Sequence, residues 1–224
     1  MQNKTENVKL AEKLTDFIQR NRKGIFIITG TIIFLFAGFV VYLSVSDYLN
    51  KKYIVAVEEL SGRYDEIADK IGDDPFALDI EELISDSKNF AGNKRGLPAG
   101  KAWSIAANIY SQRKEWPQSE DAWQKAAAAG NKTYLGPIAL FNAAAAAQEQ
   151  GKYEQAIEYL EKCVGHKFEF PSAPRAQFSI GSLYERLDNY PAALEAYREV
   201  LIKWPDLPVW QQLARSRIAA IEIR

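Results

Sequence analysis

The chain has 224 residues, 28 Lys and Arg against 29 Asp and Glu, and a formal net charge of −1. That balance excludes a polybasic nucleic-acid binder, and a single cysteine, Cys163, excludes a fold held by intrachain disulfides. The length allows one sizeable domain beside short accessory segments.

In chain order, residues 1–24 form a short tail with a net charge of +3. Leu10, Leu14, Phe17 and Ile18 fall on one helical face, which fits either a small helix on a membrane surface or an extension of the segment that follows. No charged residue occurs between Lys23 and Asp47. A helix over 25–45 is about 30 Å long, the thickness of a bilayer core, and it has no polar face for a soluble setting. Its hydroxyl residues, Thr29, Thr31 and Ser44, can bond back to their own helix. A cleaved signal is the competing expectation, with Ser44-Val45-Ser46 as a passable site, but the apolar run exceeds the roughly 7–15 residues of a signal. The bases Arg20, Arg22 and Lys23 at the near edge place the N-terminus in the cytoplasm and residues 47–224 outside it. That outer part carries a net charge of −4 and should attract neither nucleic acid nor anionic lipid.

Beyond the membrane, Tyr53, Val57, Leu60, Tyr64, Ile67 and Ile71 recur at helical spacing. The stripe suits either packing on this chain's next helices or a dimerising stalk; Gly62 interrupts it, which favours packing. Gly72-Asp73-Asp74-Pro75 ends this connector helix, and a further helix is expected from about Ala77 to Phe90. Gly92, Gly96, Pro98 and Gly100 then mark an expected loop.

From Gly100 a pattern recurs every 37 residues. One unit carries Trp103, Ala106-Ala107, Tyr110, Ser119, Trp123 and Ala126. The next carries Leu140, Ala143-Ala144, Ala147, Ala156, Leu160 and Cys163. The last carries Gln177, Ile180-Gly181, Tyr184, Ala193, Tyr197, Val200 and Pro205. Small residues let the two helices of a hairpin approach, and large ones fill the space beside them. Trp116-Pro117 and Tyr190-Pro191 put proline at the start of second helices. The surplus over a repeat of about 34 residues is expected between units, near Asn131–Gly136 and Lys167–Ser172. Leu207 to Ile223 restarts the pattern with Trp210, Leu213, Ala214 and Ile218 and reads as a terminal cap.

These residues resemble the tetratricopeptide repeat, whose consensus places a small residue in each helix against aromatic neighbours. The expected fold class is all-α: one N-terminal transmembrane helix followed by a tetratricopeptide-repeat α-solenoid. The expected divisions are a cytoplasmic tail (1–24), a transmembrane helix (25–46), a helical connector that can be read as a degenerate repeat (47–99), three repeats (100–206) and a capping helix (207–224). The architecture is similar to the YfgM-like ancillary subunits of the bacterial Sec translocon. It is also similar to the membrane-anchored repeat proteins of spirochaete flagellar motor collars. The first resemblance implies a bacterial inner-membrane protein with a periplasmic scaffold that serves protein translocation or envelope protein folding. The second implies a structural part of an envelope machine, and regulation of an envelope enzyme is a further alternative.

No catalytic constellation stands out, so no enzyme activity, cofactor, metal or small-molecule substrate is expected. Cys163 and His166 could give two metal ligands, where a zinc site takes three or four; Cys163 holds a small packing position and His166 follows a helix stop. Gly96-Leu97-Pro98-Ala99-Gly100-Lys101 lacks the spacing, the hydroxyl residue and the preceding strand of a phosphate loop. The expected activity is protein binding. In the resembled fold the first helices of the units line a concave groove, which implies Lys101, Ser104, Asn108, Ser111 and Gln112 from the first unit. The second gives Ile138, Phe141, Ala145, Gln148 and Glu149, and the third Arg175, Phe178, Ser182, Glu185 and Arg186. Phe141 and Phe178 occupy one position in successive units and are expected to serve no hairpin packing, leaving them as apolar anchors unless the connector 53–71 covers them. The family's chaperone clamp needs Lys, Asn, Asn, Lys and Arg; Ser104, Asn108, Asn142, Arg175 and Ser179 stand there, so its carboxylate ligand is not expected. A homo-oligomer through the connector helix is possible on this pattern.

Overall fold

The computed structural model describes residues 2–223, with side chains for 19–24, 26–49 and 51–223. The face of Leu10, Leu14, Phe17 and Ile18 lies outside the described side chains. The chain divides into two compact units, Met1–Lys52 and Tyr53–Arg224. The first helix, α1 (Gln2–Ile67), supplies residues to both.

The part of α1 from Gln19 to Ile67 contains a stretch long and apolar enough to cross a membrane. Its side chains are exposed from Phe26 through Val45. Among the described residues, Thr31 Oγ1 donates to the Ile27 carbonyl of its own helix at 2.8 Å and Ser44 Oγ to that of Val40 at 3.0 Å. These bonds remove exposed polarity from the apolar run.

The second unit is a stack of helices: α2 (Leu78–Gly92), α3 (Gly96–Gln112), α4 (Trp116–Gly130), α5 (Leu135–Glu149), α6 (Tyr153–Val164), α7 (Ala173–Arg186), α8 (Tyr190–Lys203) and α9 (Pro208–Glu222). Each helix from α2 to α9 packs on the next in sequence, and α3 also meets α5 while α7 meets α9. Three hairpins result, α3–α4, α5–α6 and α7–α8, in the 37-residue register. The small residues of that register, Ala107, Ala126, Ala144, Ala156 and Ala193, are fully buried.

The connector stripe packs within the chain. Val57, Leu60, Ile67 and Ile71 share one core with Ile80, Leu83 and Ile84 of α2 and Ala102, Ile105 and Ile109 of α3. Arg63 Nη1 donates to Asp86 at 2.6 Å, and Tyr53 packs edge-on against Phe90 at 6.4 Å between centroids. The dimerising face of a stalk is therefore consumed by the fold. Residues 53–67 and α2 act as one more helix pair ahead of the three hairpins.

One loop expectation is overturned. Only residues 93–95 separate α2 from α3, and Gly96, Pro98 and Gly100 are helical. Pro98 sits in the first turn, where a missing N–H leaves no helix bond unmade. Gly100 is helical because the stack needs it small: a Cβ there would lie 2.6 Å from Leu135 Cδ2 and 3.2 Å from the Ala126 carbonyl. The surplus residues between units are also absorbed differently at the two junctions. Leu135 and Gly136 join α5, leaving 131–134 as a short connection, whereas 165–172 is a longer non-helical link.

Candidate protein-binding face

The groove expectation is carried by the first helices α3, α5 and α7. In the α3 part most polar groups already have partners. Lys101 Nζ meets Glu58 Oε1 of α1 at 2.5 Å, and Glu58 holds the ammonium above its ordinary pKa. Gln112 Nε2 donates to the Tyr64 hydroxyl of α1 at 2.8 Å. Ser104 Oγ donates to its own helix at the Gly100 carbonyl. Ser111 and Ser119 are 2.6 Å apart, and Ser119 Oγ donates to the Ala107 carbonyl, so the Ser111 hydroxyl donates to Ser119. Asn108 is half-buried among them.

On α5 and α7 the face is more open. Ala145 and Arg175 are exposed, and Ile138, Gln148 and Ser182 are half-buried. Phe141 packs against Phe170 of the 165–172 link at 5.5 Å, with the Arg175 guanidinium 5.4 Å from its ring centroid. Phe178 packs against Tyr197 of its own hairpin at 5.0 Å and against Trp210 of α9 at 5.9 Å. The expectation that an aromatic here is unnecessary for packing is therefore wrong. Phe178 couples the third hairpin to the helix that follows, and Phe141 seats the link between hairpins. Both remain half-buried, and the aromatic contacts that hold them come from these later elements. Sequence periodicity could not show Phe170, which lies in a link with no helical register.

The rim is set by ion pairs and ring contacts. Glu185 accepts from the Tyr197 hydroxyl at 2.6 Å and from Arg217 Nε of α9 at 3.0 Å. Burial raises the Tyr197 hydroxyl's pKa, and the Glu185 carboxylate adds to that. Arg186 Nη1 donates to the Tyr153 hydroxyl at 3.3 Å, its guanidinium over the same ring. Glu149 is exposed at the end of α5, and of the clamp positions Asn142 and Ser179 are half-buried.

Chemically, the face sets aromatic rings beside cations, Arg175 over Phe141 and Arg186 over Tyr153. Among the described residues no group of three or more His, Cys, Asp or Glu side chains converges on a metal-sized space. The Cys-x-x-His pair diverges: Cys163, 1% exposed, donates to the Pro137 carbonyl at 3.2 Å, while His166 Nε2 faces Asn131 Oδ1 at 3.1 Å. Burial pushes the Cys163 thiol up to about 12, so it is protonated and unreactive at neutral pH.

The hairpin register is matched from outside the chain as well. A tetratricopeptide repeat family model matches residues 106–165 and 141–208. Together the two matches span residues 106–208, most of the three hairpins. A protein of Treponema pallidum (strain Nichols), named only as a TPR repeat-containing protein, is 34% identical over 128 residues. The match covers 57% of this chain and 53% of that relative, so the chain spans about half the relative's length. Among solved structures, the repeats resemble nearly identical TPR-like repeats from a kinesin light chain of Podosopora anserina, with a TM-score of 0.53, 14% identity and coverage of 74% of this chain and 86% of that one. A single-substitution variant of the same repeats gives a TM-score of 0.54 at 14% identity, covering 74% and 85%. At that identity the likeness speaks for the fold alone. Tetratricopeptide repeats are protein-interaction scaffolds with extended concave surfaces.

Proposed function

We propose that this protein is a bacterial inner-membrane scaffold, anchored by residues 25–45, whose repeats face the periplasm and hold a protein partner of translocation or envelope folding. The binding surface is the first-helix face of α5 and α7, centred on Ala145, Arg175 and the half-buried rings of Phe141 and Phe178. One observation carries this choice within the stack. The equivalent face of α3 is tied to α1 through Glu58 and Tyr64, whereas Ala145 and Arg175 are exposed. Half-buried aromatic rings beside an arginine are the side-chain types that dominate binding energy at protein interfaces. The basic flank Arg20, Arg22 and Lys23 supports a cytoplasmic N-terminus.

The source of the matched relative favours a second reading. Treponema pallidum is a spirochaete, which suits a structural part of an envelope machine such as a flagellar motor collar. Co-purification of the full-length protein from membranes separates the two. Recovery of translocon components supports the first reading, and recovery of flagellar or cell-wall components supports the second. In either case Ala145→Glu with Arg175→Glu should cut partner recovery by about tenfold or more without lowering the melting temperature. Undiminished recovery would remove the face from the proposal.

A further inference from the structure

The side of the stack formed by the second helices carries two crevices that no family property assigns. The first lies between α4 and α6, has a volume of about 560 Å³, and is lined by Ala127, Leu140, Tyr159, Lys162, His166 and Lys167 among others. The second lies between α6 and α8, has a volume of about 400 Å³, and is lined by Glu161, Gln177, Tyr184, Glu195, Glu199 and Lys203 among others. The two are the same place in successive repeats. Leu140 and Gln177, and Lys162 and Glu199, are pairs 37 residues apart.

Their charges are opposite. The first crevice is lined by two lysines and no carboxylate. The Phe168 N–H donates to Nδ1 of its histidine, and Nε2 faces Asn131 Oδ1 at 3.1 Å. Glu158, just outside the lining, lies 3.8 Å from Lys162. In the second crevice Lys203 pairs with Glu199 at 2.5 Å, leaving Glu161 and Glu195 exposed and unbalanced. Both carboxylates face the Tyr184 hydroxyl, whose pKa burial raises first and they raise further. Helix α6 is the wall between the crevices, with Lys162 lining one and Glu161 the other.

We propose that this outer face is a self-association surface whose occupant is a second copy of the chain. A two-fold axis lying in the interface, alongside α6, sets the basic crevice of each copy against the acidic crevice of the other, and one contact type is satisfied twice. A partner of single charge would match one crevice and be repelled by its neighbour. The connector stripe is buried within the chain, so it does not compete for this role. The inference is independent of the first-helix face and uses different residues.

Sedimentation of the full-length protein in detergent tests it. Wild type should form dimers that weaken as salt rises. Glu161→Lys with Glu195→Lys makes both crevices basic, and Lys162→Glu with Lys167→Glu makes both acidic. Each variant alone should dimerise at least about tenfold more weakly. An equimolar mixture of the two should recover dimers, because every basic crevice then meets an acidic one. A monomeric wild type, variants that dimerise like wild type, or a mixture that stays monomeric would each overturn the proposal. If a reversed variant loses its helical circular dichroism, the neutral pairs Glu161→Gln with Glu195→Gln and Lys162→Gln with Lys167→Gln replace it. Those should weaken dimers by a smaller factor, and unchanged dimers there count against the proposal in the same way.

Discussion

Lys114, Gly151 and Asp188 occupy one turn position in three successive hairpins, and all have positive φ, at 59°, 71° and 53°. The left-handed conformation is costly for a residue with a Cβ and easy for glycine. Lys114→Gly should therefore raise stability by up to ~1 kcal/mol, and Gly151→Ala should lower it by about as much. Asp188 is less informative, because its Oδ1 accepts from the Tyr190 hydroxyl at 2.7 Å. Thermal melts of the full-length protein in detergent check both, and a destabilised Lys114→Gly would mean that the turn is held by the lysine side chain. Gly181 is constrained differently. A Cβ there would lie 2.6 Å from Tyr197 Cε1, and Tyr197 is fully buried. Gly181→Ala should cost ~1–3 kcal/mol by overpacking, and a melting temperature equal to wild type would show that the ring can shift.

At the level of elements, the hairpins are joined by polar contacts that cross from one repeat to the next. Glu120 of α4 accepts from Lys152 Nζ at 2.9 Å, Gln150 Nε2 at 2.8 Å and the Tyr159 hydroxyl at 3.0 Å. Burial pushes its carboxyl up, but these three donors outweigh burial and hold it below the usual range. A depressed carboxylate contributes stability that is present above its unfolded pKa, near 4.5, and lost as pH falls through the lower folded value. Glu120→Gln should therefore melt lower than wild type at pH 7 and lose less stability on acidification. Parallel acid titrations of the two proteins, followed by circular dichroism, measure it; equal acid sensitivity would assign the loss to other carboxylates. Ala156 and Ala193 are fully buried where paired helices touch, and a leucine at either should cost ~1–3 kcal/mol. These packing positions were legible in the sequence, since small and aromatic residues recur at a fixed spacing and only close helix pairs require both. The boundaries at Gly96, Gly100, Leu135 and Gly136 were not. A glycine reads as a loop signal from sequence, and only the approach of Leu135 and Ala126 shows that Gly100 is small for packing. The candidate face was legible as a set of register positions. The partners of Phe141 and Phe178 were not, because Phe170 and Trp210 reach them from other elements. The outer crevices escaped notice because their charges are separated along the chain and converge only when α4, α6 and α8 are set side by side.

For the whole molecule, an apolar segment precedes a repeat domain whose first-helix face is partly filled by its own connector and partly open. The C-terminal helix α9 exposes Gln212, Arg215, Ser216, Arg217 and Glu222, with Val209 65% and Leu213 42% exposed among them. The proposed topology rests on the basic flank: a reporter active only in the cytoplasm, fused after Arg224, should be silent, and strong activity would reverse the orientation. The central claim is that the open part of the first-helix face holds a protein partner at the membrane. The most direct measurement is photo-crosslinking in intact cells from a photoreactive residue at Ala145, compared with one at Gln118, which is exposed on α4. One discrete crosslinked protein is expected from position 145, in the membrane fraction, and not from position 118. Equal crosslinking from both positions, or none from position 145, would contradict it.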